Sequence, residues 1–181
     1  MMFLKALLFV LTLISLPLVR VELKNLDGQK TRIQQFDQYK ASVLWFISPD
    51  CPLCQNYTLT IKKIQEKYGK QIRIIGIVSG KQTSIQDIKK FKKEYQIDIS
   101  VLLDEEMKLC KLLGASITPE VFVFNKKQEL VYSGRIDNWA YALGRKRTVI
   151  TQHELDDVLG KLCHNQEVSY FKTKAVGCFI E

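Results

Sequence analysis

The chain has 181 residues, of which 46% are hydrophobic and 25% are charged. This length is sufficient for one domain with a core, and the composition excludes an intrinsically disordered chain. The formal net charge is +8 at pH 7. A basic surface suits an acidic partner or anionic lipid, but a solvated lysine-rich surface is the simpler interpretation. We expect no nucleic-acid partner.

The first 20 residues have the pattern of a targeting segment. Lys5 is the only charge before Arg20, and residues 6–19 between them are almost entirely apolar. This run is closer in length to the core of a signal peptide than to a membrane span of about 20 residues. Because no small-x-small cleavage pattern precedes Arg20, an uncleaved membrane anchor is the alternative. We expect residues 1–20 to export the chain to a periplasm-type compartment, or to tether it there.

The first predicted elements surround a cysteine pair. Residues 21–35 have the pattern of a β-hairpin with a turn at residues 25–28. Residues 42–47 form a short apolar run rich in β-branched and aromatic side chains, which is typical of a strand covered on both faces. A helix should follow the loop that carries Cys51. Its apolar stripe consists of Tyr57, Ile61, Ile64 and Tyr68.

The middle of the chain alternates strands with helices. Residues 72–78 predict a second buried strand, and residues 99–103 predict a third. Between them, Ser84 should begin a helix, with Asp87 as its capping-box partner three residues later. A short helix is expected over residues 104–113.

The last part of the chain should add a hairpin and a helix. Residues 121–124 and 129–133 predict the two strands of the hairpin. A basic stretch without regular structure is expected to follow, until a capping box of Thr151 and Glu154 opens the last helix. Strands that alternate with helices and end in a hairpin predict an α/β fold with a mixed central sheet flanked by helices.

Five cysteines in an exported chain indicate an oxidising compartment. Because their number is odd, at least one is unpaired within a monomer. Cys110 is expected to be a small buried residue in a helix. Cys163 and Cys178 could bond each other, stay free or bond a partner, and the tail after Cys163 is expected to be loose.

The pair of Cys51 and Cys54 stands where a strand ends and a helix begins. Pro52 fits the first helical position, where the missing N–H costs nothing. The unpaired N–H groups and the positive end of the helix then stabilise a thiolate on Cys51. Cys54, one turn further, should be less exposed and should resolve the mixed disulfide that Cys51 forms with a partner. The spacing therefore predicts a dithiol redox centre, with Pro52 and Leu53 in contact with the substrate.

Two other interpretations of a Cys-x-x-Cys pair are possible. A structural zinc site needs two further ligands, and the two histidines, His153 and His164, do not have ligand spacing. An inert structural disulfide does not need a strand-to-helix junction. We therefore expect no metal and no cofactor.

Thr118 and Pro119 give a second signal, since they stand directly before the apolar strand of residues 121–124. Proline is out of place beside a core strand unless it marks a special turn. A cis bond before Pro119 would turn the Thr118 backbone toward the Cys51 sulfur, where it could pair with an extended partner peptide. An ordinary trans proline at the start of a strand is the alternative.

Residues 46–54, Phe-Ile-Ser-Pro-Asp-Cys-Pro-Leu-Cys, followed by Thr118-Pro119, resemble the thioredoxin-like superfamily. The Leu-Asp-Gly turn at residues 26–28 is similar to that of the extracytoplasmic TlpA-like and redoxin (AhpC/TSA-like) branches. The resemblance covers about residues 21–134. It implies a thioredoxin fold, a nucleophilic Cys51 with a resolving Cys54, and a cis Pro119. The tail, at residues 143–147 and 175–178, is similar to that of one group of bacterial redoxin-like proteins.

The motif departs from the family patterns at several positions. Thioredoxin has Trp-Cys-Gly-Pro-Cys, and the acid that it buries under its cysteines is replaced here by Trp45. The sequence therefore does not indicate which group transfers the proton during thiol-disulfide exchange. Peroxiredoxins carry Pro-x-x-x-Thr/Ser-x-x-Cys, and Ser48 fits the hydroxyl position, but Leu44 stands where the proline should be. Copper carriers with this fold usually have three residues between the cysteines, whereas two separate Cys51 from Cys54, so we do not expect copper delivery.

The sequence thus predicts three parts. These are a signal peptide or anchor at residues 1–20, a thioredoxin-like domain at 21–135, and a basic loop, final helix and tail at 136–181. The expected activity is extracytoplasmic thiol-disulfide exchange with protein thiols or disulfides through the Cys-Pro-Leu-Cys motif, with an upstream redox partner. A redoxin-type or peroxiredoxin-like thiol peroxidase and a non-catalytic thioredoxin-fold binding module are the alternatives.

Overall fold

A computed structural model describes residues 17–181 of the protein. Most of the predicted targeting segment, residues 1–16, lies outside the described residues. Leu18 is 1% exposed and packs into an apolar cluster of the domain. Within residues 17–181, no helix is both long enough and apolar enough to span a bilayer.

The described residues form twelve strands and four α-helices. The strands are β1 (Leu23–Lys24), β2 (Lys30–Thr31), β3 (Ala41–Phe46), β4 (Ile72–Ser79), β5 (Ser100–Asp104), β6 (Ile117–Thr118), β7 (Glu120–Asn125), β8 (Leu130–Gly134), β9 (Ala140–Ala142), β10 (Arg145–Lys146), β11 (Phe171–Lys172) and β12 (Cys178–Phe179). The helices are α1 (Pro52–Tyr68), α2 (Ile85–Glu94), α3 (Lys108–Leu113) and α4 (Glu154–Cys163).

Eight strands form one mixed sheet in the order β11-β8-β7-β3-β4-β5-β1-β2. Strands β3, β4 and β5 run parallel, whereas β7 is antiparallel to β3 and to β8. All residues of β3 are buried, because the strand has a neighbour on each side and packed side chains on each face. The mixed α/β sheet that the sequence predicts is confirmed, including the hairpin of β1 and β2.

The two faces of the sheet carry separate apolar clusters. Side chains alternate along a strand, so Val43 and Trp45 face one side of β3, and Leu44 and Phe46 face the other. Helices α1, α2 and α4 contribute to the cluster that contains Trp45. Helix α3 and the N-terminal segment cover the cluster that contains Phe46. The cysteine pair belongs to the first of these clusters.

The predicted stripe and cap of the first two helices are confirmed. The apolar positions of α1 are all buried: they are Tyr57, Ile61, Ile64 and Tyr68. At the start of α2, the Ser84 hydroxyl accepts a hydrogen bond from the Asp87 N–H at 3.1 Å. This bond satisfies one of the free N–H groups of the first turn, as the sequence predicts.

Two predictions for the second half are wrong. Helix α3 begins at Lys108, not at residue 104, because the Asp104 carboxylate instead accepts hydrogen bonds from the first N–H groups of the helix. The capping box of Thr151 and Glu154 does not form. The Thr151 hydroxyl accepts a hydrogen bond from Asn138 at 2.7 Å, and Glu154 pairs with Arg135.

The regions predicted to be irregular or loose contain strands. Strands β9 and β10 form a hairpin within the basic loop. The tail after Cys163 adds β11 in parallel to β8, and β12 pairs antiparallel with β6. An edge strand has unpaired N–H and C=O groups, so a chain end that reaches it gains main-chain hydrogen bonds and becomes ordered.

A buried tyrosine connects α1 to the loop after β8. The Tyr57 hydroxyl donates a hydrogen bond of 2.7 Å to the buried Asp137 carboxylate. Burial raises the pKa of Tyr57, and the hydrogen bond to Asp137 raises it further.

Tyr57→Phe should lower the free energy of unfolding by about 1–3 kcal/mol, measured by denaturant titration, because it removes a hydrogen-bond donor from the buried Asp137 side chain. The matched variant Tyr141→Phe, at a tyrosine 49% exposed, should change it by less than about 0.5 kcal/mol. Equal effects in the two variants would contradict this assignment.

Candidate functional site

Cys51 occupies the N-cap position of α1, directly before Pro52 at the first helical position. Its backbone is extended, with φ −79° and ψ 114°. Cys54 follows within the first turn and has no exposed surface. The sequence predicts that Cys54 is less exposed than Cys51, but both are buried, and Cys51 is only 2% exposed. The physical reason is the C-terminal tail, which covers the sulfur.

The surroundings shift the pKa values of Cys51 and Cys54 in opposite directions. The pKa of Cys51 is lowered to about 4. The hydrogen bond from the Cys54 thiol is the largest cause, burial opposes it, and the hydrogen bond from the Cys178 thiol lowers the pKa further. Burial raises the pKa of Cys54 well above its usual value, and the hydrogen bond to Cys51 raises it further. The charge therefore resides on Cys51 and the proton on Cys54 at neutral pH.

The Thr118–Pro119 peptide bond is cis, as the sequence predicts. In its thiol form, Cys51 donates a hydrogen bond from Sγ to the Thr118 carbonyl oxygen at 3.2 Å. Thr118 and Pro119 are buried, whereas Pro52 is exposed and Leu53 is half-buried. The Thr118 backbone thus lies against Cys51, and Pro52 and Leu53 reach the surface beside it.

Sequence analysis missed the third sulfur of the site. Cys178 Sγ lies 2.9 Å from Cys51 Sγ and donates a hydrogen bond to it. In strand β12, Cys178 is the register partner of Thr118 in β6. The odd number of cysteines was the available signal, but no spacing rule connects residue 178 to residue 51.

The position under the cysteines is apolar. Trp45 is fully buried on the same face of the sheet, and its indole N–H has no hydrogen-bond partner within residues 17–181. Glu120 is a buried acid directly after Pro119, and burial raises its pKa. Glu120 is the register partner of Phe46, so its side chain belongs to the opposite face. Its carboxylate accepts a hydrogen bond from the Ser116 N–H at 3.3 Å.

The remaining cysteines lie elsewhere. Cys110 is buried, as predicted, and donates a hydrogen bond to the Ala115 carbonyl at 3.1 Å. Cys163 ends α4, and none of the five cysteines is in a disulfide. Among the described residues, no group of three or more His, Cys, Asp or Glu side chains is arranged to hold a metal ion.

Solved structures of other proteins have the same mixed α/β fold as this chain. An uncharacterized conserved protein from Geobacillus kaustophilus has 22% identity and a TM-score of 0.75, and the alignment covers 88% of this chain and 87% of that one. A hypothetical protein from Sinorhizobium meliloti has 21% identity and a TM-score of 0.73, over 88% and 89% of the two chains. A secreted disulfide oxidoreductase from Mycobacterium tuberculosis has 14% identity and a TM-score of 0.55, over 81% and 96%.

These similarities and the mixed sheet define a thioredoxin-fold protein of the redoxin type. The sequence profile of the AhpC/TSA family matches residues 14–133, which is more than half of the chain. The chain therefore belongs to the AhpC/TSA family. A search of curated proteins found no match.

The charge on Cys51 can be measured by titration. The ultraviolet thiolate absorbance of the reduced protein, minus that of Cys51→Ser, should rise with a midpoint near pH 4, because a lowered pKa keeps the thiolate at every higher pH. The matched variant Cys110→Ser should remove no absorbance below about pH 8, since burial raises the pKa of that thiol. A midpoint near the usual thiol value of 9.0 would contradict the assignment.

Proposed function

We propose that the protein is an extracytoplasmic thiol-disulfide oxidoreductase that exchanges disulfides with partner proteins through Cys51 and Cys54. One observation carries the proposal. Two adjacent thiols with opposite pKa shifts lie at a helix N-terminus and against the backbone of a cis-proline turn. An inert crosslink does not need this polarisation of charge between its two sulfurs.

The exchange takes place in two steps. The Cys51 thiolate attacks one sulfur of a partner disulfide, so a Cys51–partner bond forms and the other partner sulfur leaves as a thiolate. Cys54 then loses its proton and attacks Cys51 Sγ, which forms the Cys51–Cys54 bond and releases the second partner thiolate. The partner gains two electrons and the cysteine pair loses two. In the opposite direction, the same steps oxidise a dithiol, and an upstream redox partner resets the pair.

The substrate surface is the backbone edge at Thr118, with Pro52 and Leu53 beside it. A strand already pairs with this edge, since Cys178 and Phe179 are in register with Thr118 and Ile117. Main-chain pairing of this kind accepts many sequences, provided that the bound segment is extended. The proposed substrates are therefore protein segments with a disulfide or a thiol, and not one small molecule.

A thiol peroxidase is the second candidate, because the AhpC/TSA profile matches the chain and Ser48 precedes Cys51 by three residues. In that reaction the Cys51 thiolate attacks a peroxide oxygen, the O–O bond breaks, and the other oxygen leaves as hydroxide or alkoxide. Cys51 becomes a sulfenic acid, and Cys54 attacks its sulfur to form the Cys51–Cys54 disulfide with release of water. Leu44, in place of the expected proline, argues against it.

The role of Cys51 can be tested by a disulfide-reduction assay with insulin and dithiothreitol. Cys51→Ser should reduce the rate to that of dithiothreitol alone, because only the thiolate attacks a disulfide. Cys163→Ser, at the end of α4, is the matched control and should retain the full rate. Peroxide consumption without insulin reduction would instead establish the peroxidase, and the absence of both activities would leave a binding module.

Export is tested with a reporter that is active only outside the cytoplasm. A fusion of residues 1–30 should be active, because Lys5 retains the N-terminus inside while the apolar run crosses the membrane. The same fusion without residues 1–20 should be silent. Recovery of the cleaved or intact form from the soluble and membrane fractions then distinguishes a signal peptide from a tether. A silent full fusion would contradict the proposed location.

A further inference from the structure

The C-terminal segment of residues 175–180 lies in the proposed substrate groove. Its strand β12 pairs with β6, and the Ile180 N–H donates a hydrogen bond to the Ser116 carbonyl at 3.0 Å. Gly177 makes this approach possible, since a Cβ at this position would overlap the Thr118 carbonyl oxygen. The chain end therefore binds in the way that an extended partner segment would bind.

The pairing brings a sulfur to the position of a substrate sulfur. Cys178 Sγ is 2.9 Å from Cys51 Sγ, so a covalent bond of about 2.05 Å requires only a small movement of the two side chains. Cys178 is half-buried and Phe179 beyond it is exposed, so the segment covers the site from the solvent side. Cys54 lies on the inner side, within the first turn of α1.

We propose that Cys178 is a third redox cysteine, which forms a disulfide with Cys51 in exchange with the Cys51–Cys54 disulfide. The C-terminal segment is then an intramolecular counterpart of the substrate. This inference rests on the proposed function, because it uses the same nucleophile and the same groove.

The exchange between the two disulfides needs no external oxidant or reductant. In the oxidised protein, the Cys178 thiol loses its proton and attacks Cys51 Sγ. The Cys51–Cys178 bond forms as the Cys51–Cys54 bond breaks, and Cys54 leaves as a thiolate that takes up a proton. One disulfide and one thiol are present before and after, so the step is an isomerisation. Burial of Cys54 disfavours its thiolate and so slows its departure, but it also makes the departed sulfur take up a proton, which favours the new disulfide.

The protonation states support this order. In the reduced protein, the pKa of Cys178 is raised to about 11 by burial first, and then by the hydrogen bond to Cys51 and by the charge on Cys51. Cys51 carries no charge once it is in a disulfide. The Cys178 thiol therefore loses its proton more readily in the oxidised protein, which is the state that contains a disulfide for its thiolate to attack.

The first experiment removes Cys54 and asks which sulfur takes its place. Cys54→Ser, equilibrated with oxidised and reduced glutathione, should form an intramolecular Cys51–Cys178 disulfide, detected as a linked peptide by non-reducing mass spectrometry. Cys54→Ser with Cys178→Ser should instead accumulate glutathione on Cys51. Cys54→Ser with Cys163→Ser is the matched control and should keep the linked peptide. Glutathione on Cys51 in all three proteins would overturn the proposal.

The second experiment moves the segment without changing a sulfur. In a Cys54→Ser background, Gly177→Ala should lower the yield of the linked peptide at least about tenfold, because its methyl group has no room beside Thr118. The same change should raise the rate at which iodoacetamide modifies Cys51 in the reduced protein. Lys174→Ala, at an exposed position of the same tail, should change neither quantity. An unchanged yield in Gly177→Ala also overturns the proposal.

The two proposals fail in different ways. If the protein with all five cysteines reduces insulin but Cys54→Ser forms no linked peptide, the oxidoreductase stands and the third redox cysteine is rejected. If Cys54→Ser forms the linked peptide but insulin is not reduced, Cys178 is a redox cysteine and the proposed exchange with partner proteins is rejected. Circular dichroism of each variant shows whether it is folded.

Discussion

The pairing of β3 with β7, which sets Cys51 Sγ 3.2 Å from the Thr118 carbonyl oxygen, is the constraint on which the site depends. The contact of Cys51 with Thr118 joins two parts of the chain that are 67 positions apart. Strand β3 fixes one side, because it is buried along its whole length and delivers Cys51 to the start of α1. Strand β7, which pairs with β3 residue by residue, fixes the other side and holds the cis Pro119 turn beside the helix.

The positions of Cys51 and Cys54 in this arrangement explain why their pKa values shift in opposite directions. Both cysteines are buried, so burial alone would raise both pKa values. Cys51 is at the helix N-terminus and accepts hydrogen bonds from thiols, which lowers its pKa against the effect of burial. For Cys54, burial, the hydrogen bond to Cys51 and the charge on Cys51 raise the pKa, and they outweigh the lowering effect of hydrogen bonds from Ser48 and Thr118. The apolar neighbour Trp45 does not replace the acid that thioredoxin places under its cysteines. In the proposed exchange, the proton that Cys54 loses therefore passes to the leaving partner thiolate or to solvent.

The sequence predicted the features that depend on local patterns. The stripe of α1, the cap at Ser84 and the apolar central strand follow from periodicity and chemistry within a few residues. The cis bond before Pro119 followed from a proline beside a core strand. The failures involve partners that are distant in the chain. Thr151 bonds to Asn138 in place of Glu154, and β12 finds an edge about sixty residues away. No local pattern in residues 163–181 indicates that edge, so the tail was predicted to be loose and the contact of Cys178 with Cys51 was missed.

The bound tail also changes the chemistry that a substrate meets. With the segment in place, Cys51 accepts hydrogen bonds from two thiols, and its thiolate is stabilised at the cost of intrinsic nucleophilicity. In the proposed function, a partner that enters the groove displaces β12, which removes the donor Cys178 and leaves the donor Cys54. The pKa of Cys51 then rises, because the sulfur has lost a hydrogen-bond donor, and the intrinsic nucleophilicity of a thiolate increases with its pKa. In the proposed function, the tail in the groove therefore holds Cys51 as a less nucleophilic thiolate, and a substrate that replaces the tail meets a more nucleophilic one.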